Sequence, residues 1–200
     1  MFNIIQIKFL IRYTVMISII IGILVFNFLK ELFFEDWGLF KLVSISSIIC
    51  LALLFLLTNS FSARKLWSIC RSFNKNLYPD LNGLWSGYIE IDGGEIIDIR
   101  ASIRQGLLRT ELDVYGKTVK SITLECTPTV ELGQKKLYYI YRSTPRNPSW
   151  PIYDGSTLLD VMSDVYGITL SGRYYTDRLT NGRITLFKLS DNMNINMSYY

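Results

Sequence analysis

The hydrophobic positions divide the chain into two parts with different patterns. Two nearly uninterrupted apolar runs lie in the first part, over residues 9–29 and 40–57. Each run is long enough to cross about 30 Å of hydrocarbon as an α-helix. After Pro79, short segments rich in β-branched and aromatic residues alternate with turn residues. The pattern therefore predicts a two-helix transmembrane hairpin that anchors an all-β domain to a membrane.

Turn residues divide the second part into eight predicted strands. Asp92-Gly93-Gly94 and Asn181-Gly182 are typical of tight hairpins, and one longer connection covers residues 143–155. Eight antiparallel strands joined by short turns favour a closed, lipocalin-like minimal β-barrel, because closure leaves no exposed strand edge. Such a barrel is filled by side chains or holds one small ligand. The predicted strands are 84–92, 95–104, 108–116, 119–126, 135–142, 156–163, 166–176 and 182–189.

A basic segment joins the two parts. Within residues 59–79, apolar side chains recur at helical spacing, while basic side chains occupy mostly other positions. This pattern predicts an amphipathic helix that lies in a membrane interface. The predicted organisation is thus a hairpin over 1–58, a linker over 59–79, a barrel over 80–190 and a C-terminal tail over 191–200.

Positive charge is concentrated in the membrane part. The first 75 residues hold eight Lys and Arg against three Asp and Glu, whereas the rest of the chain holds 13 against 14. Lys8 and Arg12 lie at the start of the first run, and Arg64 and Lys65 follow the second. The positive-inside rule then predicts a multi-pass protein with both termini and the barrel in the cytoplasm. A lipid partner explains this charge, so neither DNA nor RNA is expected as a ligand.

Composition removes most catalytic chemistry. The sequence has no histidine, which excludes Ser-His-Asp and Cys-His catalysis and histidine-containing zinc sites. Cys50, Cys70 and Cys126 have neither the spacing of metal ligands nor the even count of a disulfide framework. A phosphate-binding glycine loop is also missing from the sequence. We therefore expect no enzyme activity, no catalytic residue, no metal and no cofactor.

Spaced motifs in the second part carry a resemblance to a known family. The β-domain opens with Gly83-x-Trp85-x-Gly87, and its later motifs are Ile103-x-Gln105, Tyr139-x-Tyr141, Gly172-x-Tyr174-x-Thr176-x-Arg178 and Gly182-x-Ile184. With the preceding hairpin, this order resembles the two-transmembrane, β-strand-rich effectors associated with bacterial cGAS-like nucleotidyltransferases. These effectors act in the anti-phage systems called CBASS.

The resemblance implies a function in antiviral defence. A cytosolic barrel would bind a cyclic dinucleotide made by a partner nucleotidyltransferase during infection. The protein would then form a homo-oligomer, and its clustered hairpins would disrupt the inner membrane and kill the cell before phage release. The cyclic dinucleotide is thus implied as the activating ligand, and the lipid bilayer as the second partner.

The residues can be matched to that ligand by their chemistry. Bases call for aromatic or guanidinium stacking, and bridging phosphates call for Arg, Lys, hydroxyl or amide donors. Strand alternation places Tyr174 toward the lumen, while Arg178 lies just past a strand end and Trp85 is expected to plug the barrel base. The candidate ligand-binding residues are Tyr174, Arg178, Tyr139, Tyr141, Thr176, Gln105, Tyr88, Arg104 and Arg146. The residues expected to shape the barrel are Gly83, Trp85, Gly87, Gly172 and Gly182.

Two other functions fit the same pattern. A lipocalin-like carrier or sensor of an apolar molecule would have a lumen lined only by Leu, Ile and Phe, whereas a nucleotide site would combine Tyr with Arg near the mouth. A membrane-anchored adaptor would have a filled barrel without a cavity. The polarity of the lumen therefore distinguishes the three.

Overall fold

A computed structural model of the chain describes residues 7–32, 39–73, 77–106, 109–165 and 167–191. These residues form two compact units, a helical unit and a β-barrel, and the division between them in the sequence falls between residues 74 and 75. The boundary lies within the predicted linker. Residues 192–200, most of the predicted tail, lie outside the described residues.

The helical unit contains α1 (Ile7–Leu32), α2 (Leu39–Thr58) and α3 (Ser60–Phe73). Helices α1 and α2 pack closely where Gly22 faces Cys50, because a Cβ added at Gly22 would lie 3.2 Å from the cysteine sulfur. Helix α3 falls within the predicted basic linker. Over the part of the chain that the structure describes, no helix has both the length and the apolar character that a membrane crossing requires. The predicted two-span hairpin is therefore not supported by the structure.

The eight strands of the second unit form one closed antiparallel barrel. Each strand pairs with its neighbours in the chain, and the first strand pairs with the last to complete the closure. The predicted eight-stranded barrel is confirmed. The strands are β1 (Gly83–Ile91), β2 (Ile96–Gln105), β3 (Thr110–Tyr115), β4 (Val119–Glu131), β5 (Gln134–Pro145), β6 (Tyr153–Ser163), β7 (Ile168–Thr176) and β8 (Asn181–Ser190).

The β4–β5 hairpin is longer than predicted. Strand β4 continues past Pro128 to Glu131, although proline interrupts most strands. The register between β4 and β3 ends at Ser121, and the Thr123 hydroxyl accepts from Leu112 N at 2.7 Å instead. Pro128 lies opposite Leu137 in β5 and has no ladder partner among the described residues on the β3 side, so there the missing proline N–H removes no described hydrogen bond.

The long connection before β6 is shorter than predicted. Strand β5 runs to Pro145 and β6 begins at Tyr153, with Ser143 opposite Tyr153 in the ladder. The connection is therefore reduced from residues 143–155 to residues 146–152. Three prolines in the segment made the strand ends hard to predict from the sequence. Pro145 is the last paired residue of β5, and Pro148 and Pro151 lie in the connection itself.

Buried hydrogen bonds close one end of the barrel. Trp85 is fully buried, and its indole Nε1 donates to Leu81 O at 3.0 Å. The backbone N of Leu81 donates to Gln105 Oε1 at 2.8 Å. Asn82 bonds the backbone of Gln105 in both directions, at 2.8 Å each way. Trp85 is thus a buried plug against the segment that precedes β1.

Two glycines allow neighbouring strands to approach. A Cβ at Gly172 would lie 1.9 Å from Leu158 O, and a Cβ at Gly87 would lie 1.9 Å from Thr185 O. Both obstacles are backbone atoms, so neither can move without shifting a strand. A side chain at either position would therefore distort the barrel.

Candidate functional site

The end of the barrel away from the Trp85 plug contains a cavity of about 340 Å³. This volume lies within the range of small-molecule sites, roughly 300–1,000 Å³. The side chains come from all eight strands and from three of the connections. Lining residues include Ile89, Ile97, Ile99, Val114, Ser121, Tyr139, Tyr141, Ser143, Trp150, Tyr153, Thr157, Tyr174, Thr176, Arg178 and Ile184.

Tyrosines form much of the polar surface of this cavity. Tyr139 and Tyr141 both point inward from β5, and their rings stack with centroids 4.9 Å apart. Tyr174 on β7 is 7 % exposed. Tyr139 is almost fully buried, and its hydroxyl makes no hydrogen bond to any described residue. A buried hydroxyl of this kind leaves a donor for a ligand atom.

Two cross-strand glycines make room for the tyrosine rings. Tyr141 lies opposite Gly155, and a Cβ there would meet the Tyr141 ring at 2.4 Å. Tyr174 lies opposite Gly182, where a Cβ would meet the Tyr174 ring at 2.7 Å and Glu90 O at 2.2 Å. An aromatic ring over a glycine is a known device for covering the exposed backbone of a strand. Gly155 and Gly182 therefore fix two rings against the barrel wall.

The substitution Gly155→Ala should alter the cavity without unfolding the barrel. Because the three atoms nearest to the added methyl all belong to the Tyr141 side chain, we expect this ring to turn into the lumen and reduce its free volume. Ligand affinity, measured by calorimetry, should fall by about tenfold, an effect of roughly 1–3 kcal/mol for overpacking. The matched control is Ser156→Ala, because Ser156 follows Gly155 in β6 and lies on the outer face of the barrel. A glycine in a turn, such as Gly133, is a poor control because its positive φ would itself strain an alanine. Wild-type affinity for Gly155→Ala would contradict this role.

Arg178 is the charged group of the cavity. Its guanidinium carbon lies 4.5 Å from the centroid of the Tyr153 ring, a cation–π contact. Among the described residues that line the cavity, it is the one with a charged side chain. Because the guanidinium stacks through its face, the N–H groups at its edge can donate hydrogen bonds to a carboxylate or a phosphate. Arg178 therefore gives the cavity lining a group that can bind an anion.

The cavity tyrosines are neutral at physiological pH, and burial moves their pKa further above it. Desolvation by burial raises the pKa of Tyr139 well above its ordinary value, and raises the pKa of Tyr141 and Tyr174 in the same direction. Neutral phenols donate hydrogen bonds, whereas phenolates would repel a phosphate. At physiological pH the lumen therefore offers hydroxyl donors beside one positive charge.

The structure brings five of the nine predicted ligand-binding residues to this cavity. These are Tyr139, Tyr141, Tyr174, Thr176 and Arg178. Tyr174 faces the lumen, as strand alternation predicts. That the five bind a ligand stays a prediction.

The other four candidates lie elsewhere, each for a physical reason. Gln105 is at the far end of β2, where its side chain and backbone bond to Leu81 and Asn82. Tyr88 is on the outer face, with its ring 6.4 Å from that of Phe187. The remaining two are Arg104, which bonds Glu111 and Asp113 at 2.8 and 2.6 Å, and Arg146, an exposed residue of the connection after β5.

Two aromatic residues of the mouth were missed by the sequence analysis. Trp150 is half exposed in the connection between β5 and β6, and Tyr153 begins β6. The only sequence signal was their position in a proline-rich segment, which does not reveal which way a side chain points. The contact between Tyr153 and Arg178 depends on residues 25 positions apart in the chain.

Comparison with known families identifies the barrel. Residues 76–188 match the family model described as "Cap15, cyclic dinucleotide receptor domain". The match covers more than half of the chain and includes β1 to β7 and most of β8. The comparison with curated proteins found no match.

Proposed function

Because the chain belongs to the Cap15 family of cyclic dinucleotide receptor domains, we propose that it is an effector of CBASS anti-phage defence. Its barrel binds a cyclic dinucleotide in the cavity that Arg178 and the tyrosines line. The observation that carries this proposal is the pairing of Arg178 with Tyr153 at the mouth of a lumen that also contains three inward-facing tyrosines. A lumen of this polarity suits a ligand that combines planar bases with phosphates.

Each part of the ligand has a chemical match in the cavity. The Arg178 edge would donate to a bridging phosphate, and the phenols of Tyr139 and Tyr174 would donate to phosphate or base acceptors. Trp150, exposed at the mouth, offers a face on which a base can stack. Catalysis is not part of the proposal, because these groups bind and orient a ligand without supplying a nucleophile or a metal.

The helical unit is the part that acts on the membrane in this proposal. Support comes from the many large apolar side chains that α1 and α2 leave exposed, a surface that soluble monomers rarely show. Examples are Ile17, Ile20, Ile23, Leu24 and Phe28 in α1, and Ile48, Leu51 and Phe55 in α2. We propose that these helices enter the bacterial inner membrane with the barrel in the cytoplasm. Ligand binding then drives self-association and membrane disruption, which ends in abortive infection, and a cGAS-like nucleotidyltransferase supplies the ligand.

Reconstitution tests the effector step. The full chain is placed in liposomes of bacterial lipid that contain a self-quenched dye, and a cyclic dinucleotide that binds is added. We expect larger assemblies by sedimentation in detergent and release of dye from the liposomes. Binding without any change in particle size or leakage would show that membrane disruption is not the output.

Fractionation tests the location. Extraction of cell membranes with carbonate at high pH should leave the full chain in the pellet, and protease added to inside-out vesicles should digest the barrel. Recovery of the chain in the carbonate supernatant would contradict membrane insertion.

A second candidate is a carrier or sensor of an apolar ligand. The isoleucines Ile89, Ile97, Ile99 and Ile184 favour it, because they form an apolar wall in the same cavity. A fatty acid that binds with the same stoichiometry and competes with the nucleotide would support the carrier.

A further inference from the structure

Two serine hydroxyls meet in the wall of the cavity. Ser121 on β4 lies opposite Ser143 on β5, and their hydroxyl oxygens are 2.7 Å apart. Both residues line the cavity, but Ser143 has no exposed surface, whereas Ser121 is 8 % exposed. Among the described residues, neither hydroxyl has a second hydrogen-bond partner. Ser121 is therefore the member of the pair that a ligand can reach.

Burial decides which of the two serines donates. If Ser121 donated, the hydrogen of the fully buried Ser143 hydroxyl would have no acceptor among the described residues. A buried donor without an acceptor costs free energy, so Ser143 donates to Ser121 Oγ. The Ser121 hydroxyl keeps its own hydrogen for an acceptor in the lumen.

Donors also exceed acceptors among the other polar side chains of the cavity. The hydroxyl of Tyr139 is bonded to no described residue, and a guanidinium such as that of Arg178 can only donate. None of the described lining residues is Asp, Glu, Asn or Gln, so they supply neither a carboxylate nor an amide oxygen. The hydroxyl oxygens are the remaining side-chain acceptors. The lining side chains therefore match a ligand that presents acceptors.

The bases of nucleotides differ in how well they meet this requirement. Uracil, like thymine, presents the carbonyl oxygen O4, and guanine presents O6 beside N7, and all of these atoms are acceptors. Adenine has no carbonyl oxygen, and its N7 lies beside the N6 amino group, which is a donor. In a desolvated site, an amino group that faces unpaired donors leaves both without a partner. A carbonyl edge is thus the better match to this lumen.

We propose that the base held in the cavity is uracil or guanine and not adenine, with Ser121 as the donor to its carbonyl oxygen. Ser143 is a positioning residue, because it donates to Ser121 and so directs the Ser121 hydrogen to the ligand. Tyr139 donates to another acceptor of the same ligand. This inference rests on the proposed function, since it requires a cyclic dinucleotide in this cavity, and it names the class of base.

A comparison of bases tests the inference on the wild-type full chain in detergent. Calorimetric titration uses cyclic di-AMP and compounds of the same linkage that contain uracil or guanine, both symmetric and mixed with adenine. We expect the tightest ligand to contain uracil or guanine and to bind about tenfold or more tightly than cyclic di-AMP, the usual effect of one unsatisfied buried group. If cyclic di-AMP bound as tightly as the best of the others, the inference would be overturned and the proposed function would stand. Failure of every compound to bind would contradict the proposed function itself.

Tyr139→Phe tests one donor and keeps the size of the ring. Because the Tyr139 hydroxyl is bonded to no described residue, its loss should leave the free energy of unfolding unchanged or raise it. The affinity for the tightest ligand should nevertheless fall about tenfold. Tyr138→Phe is the matched control, since the Tyr138 hydroxyl donates to Glu131 in an exposed position, and this variant should bind as the wild type does. Wild-type affinity for Tyr139→Phe would contradict the role of Tyr139 as a donor.

Selectivity between bases tests the serine pair. Ser121→Ala should lower the affinity for the tightest ligand about tenfold and the affinity for cyclic di-AMP much less, so the ratio of the two affinities falls. Ser143→Ala keeps the Ser121 hydroxyl but removes the group that orients it, so the ratio should fall by a smaller factor. Ser156→Ala, on the outer face of β6, should keep the wild-type ratio. Variants that are folded by circular dichroism and keep an unchanged ratio would overturn the assignment of Ser121 and Ser143.

Discussion

Replacing Arg178 by alanine should weaken binding of the cyclic dinucleotide by about 10- to 100-fold, the usual loss for one charge-assisted hydrogen bond. Arg178 is the charged side chain among the described residues of the cavity lining, and it lies on Tyr153 at 4.5 Å. Because the residue is exposed in a turn, its loss should leave the stability of the barrel unchanged. Calorimetric titration measures the affinity, and circular dichroism checks the fold.

Two further variants make the Arg178 test specific. Arg178→Lys keeps the charge but loses the planar group that stacks on Tyr153, so we expect an intermediate affinity. Arg146→Ala removes an exposed arginine from the neighbouring connection, outside the cavity lining, and should bind as the wild type does. Equal losses for Arg146→Ala and Arg178→Ala would mean that general positive charge, and not the position of Arg178, attracts the ligand.

Replacing Trp85 by alanine should lower the free energy of unfolding by roughly 3–5 kcal/mol, the usual loss for a fully buried tryptophan. Trp85 has no exposed surface, and its indole N–H satisfies the carbonyl of Leu81. The substitution removes packing and leaves that buried carbonyl without a donor. Chemical denaturation of the full chain, followed by circular dichroism, measures the change.

Trp150 provides the matched control for Trp85. It is 49 % exposed and lies in the connection between β5 and β6. We expect Trp150→Ala to keep wild-type stability but to lower ligand affinity, since the residue lines the mouth. The two tryptophans should thus separate stability from binding. If Trp150→Ala lowered the free energy of unfolding as much as Trp85→Ala does, the mouth would also contribute to the stability of the barrel.

Strand alternation made much of the barrel predictable. It also predicts the true positions of three candidates that do not line the cavity. Trp85 and Gly87 face inward on β1, so Tyr88, one position later, must face outward. The same parity puts Arg104 outside, because Ile103 is buried. Gln105 does face inward, but at the end of the strand that the Trp85 plug closes. Chemical type suggested these residues as ligand contacts, and Gln105 also belongs to a motif of the family resemblance.

Other parts of the site follow from contacts that no local pattern encodes. The space for the Tyr141 ring depends on Gly155, which the strand register brings opposite from another strand. The extension of β4 past Pro128 follows its ladder with β5, in which Pro128 lies opposite Leu137, and this is a property of the pair and not of β4 alone. Likewise, the contact between Tyr153 and Arg178 joins the start of β6 to the turn after β7. Long-range register therefore decided what the sequence left open.

The most direct test of the proposed ligand is a calorimetric titration of the full chain in detergent with a panel of cyclic dinucleotides. Each titration is paired with the corresponding mononucleotides and with the Gly155→Ala variant. We predict saturable binding of at least one cyclic dinucleotide with one site per barrel, no binding of its mononucleotides at the same concentration, and weaker binding to Gly155→Ala. The absence of binding by every cyclic dinucleotide to a barrel that is folded by circular dichroism would contradict the assignment of the cavity.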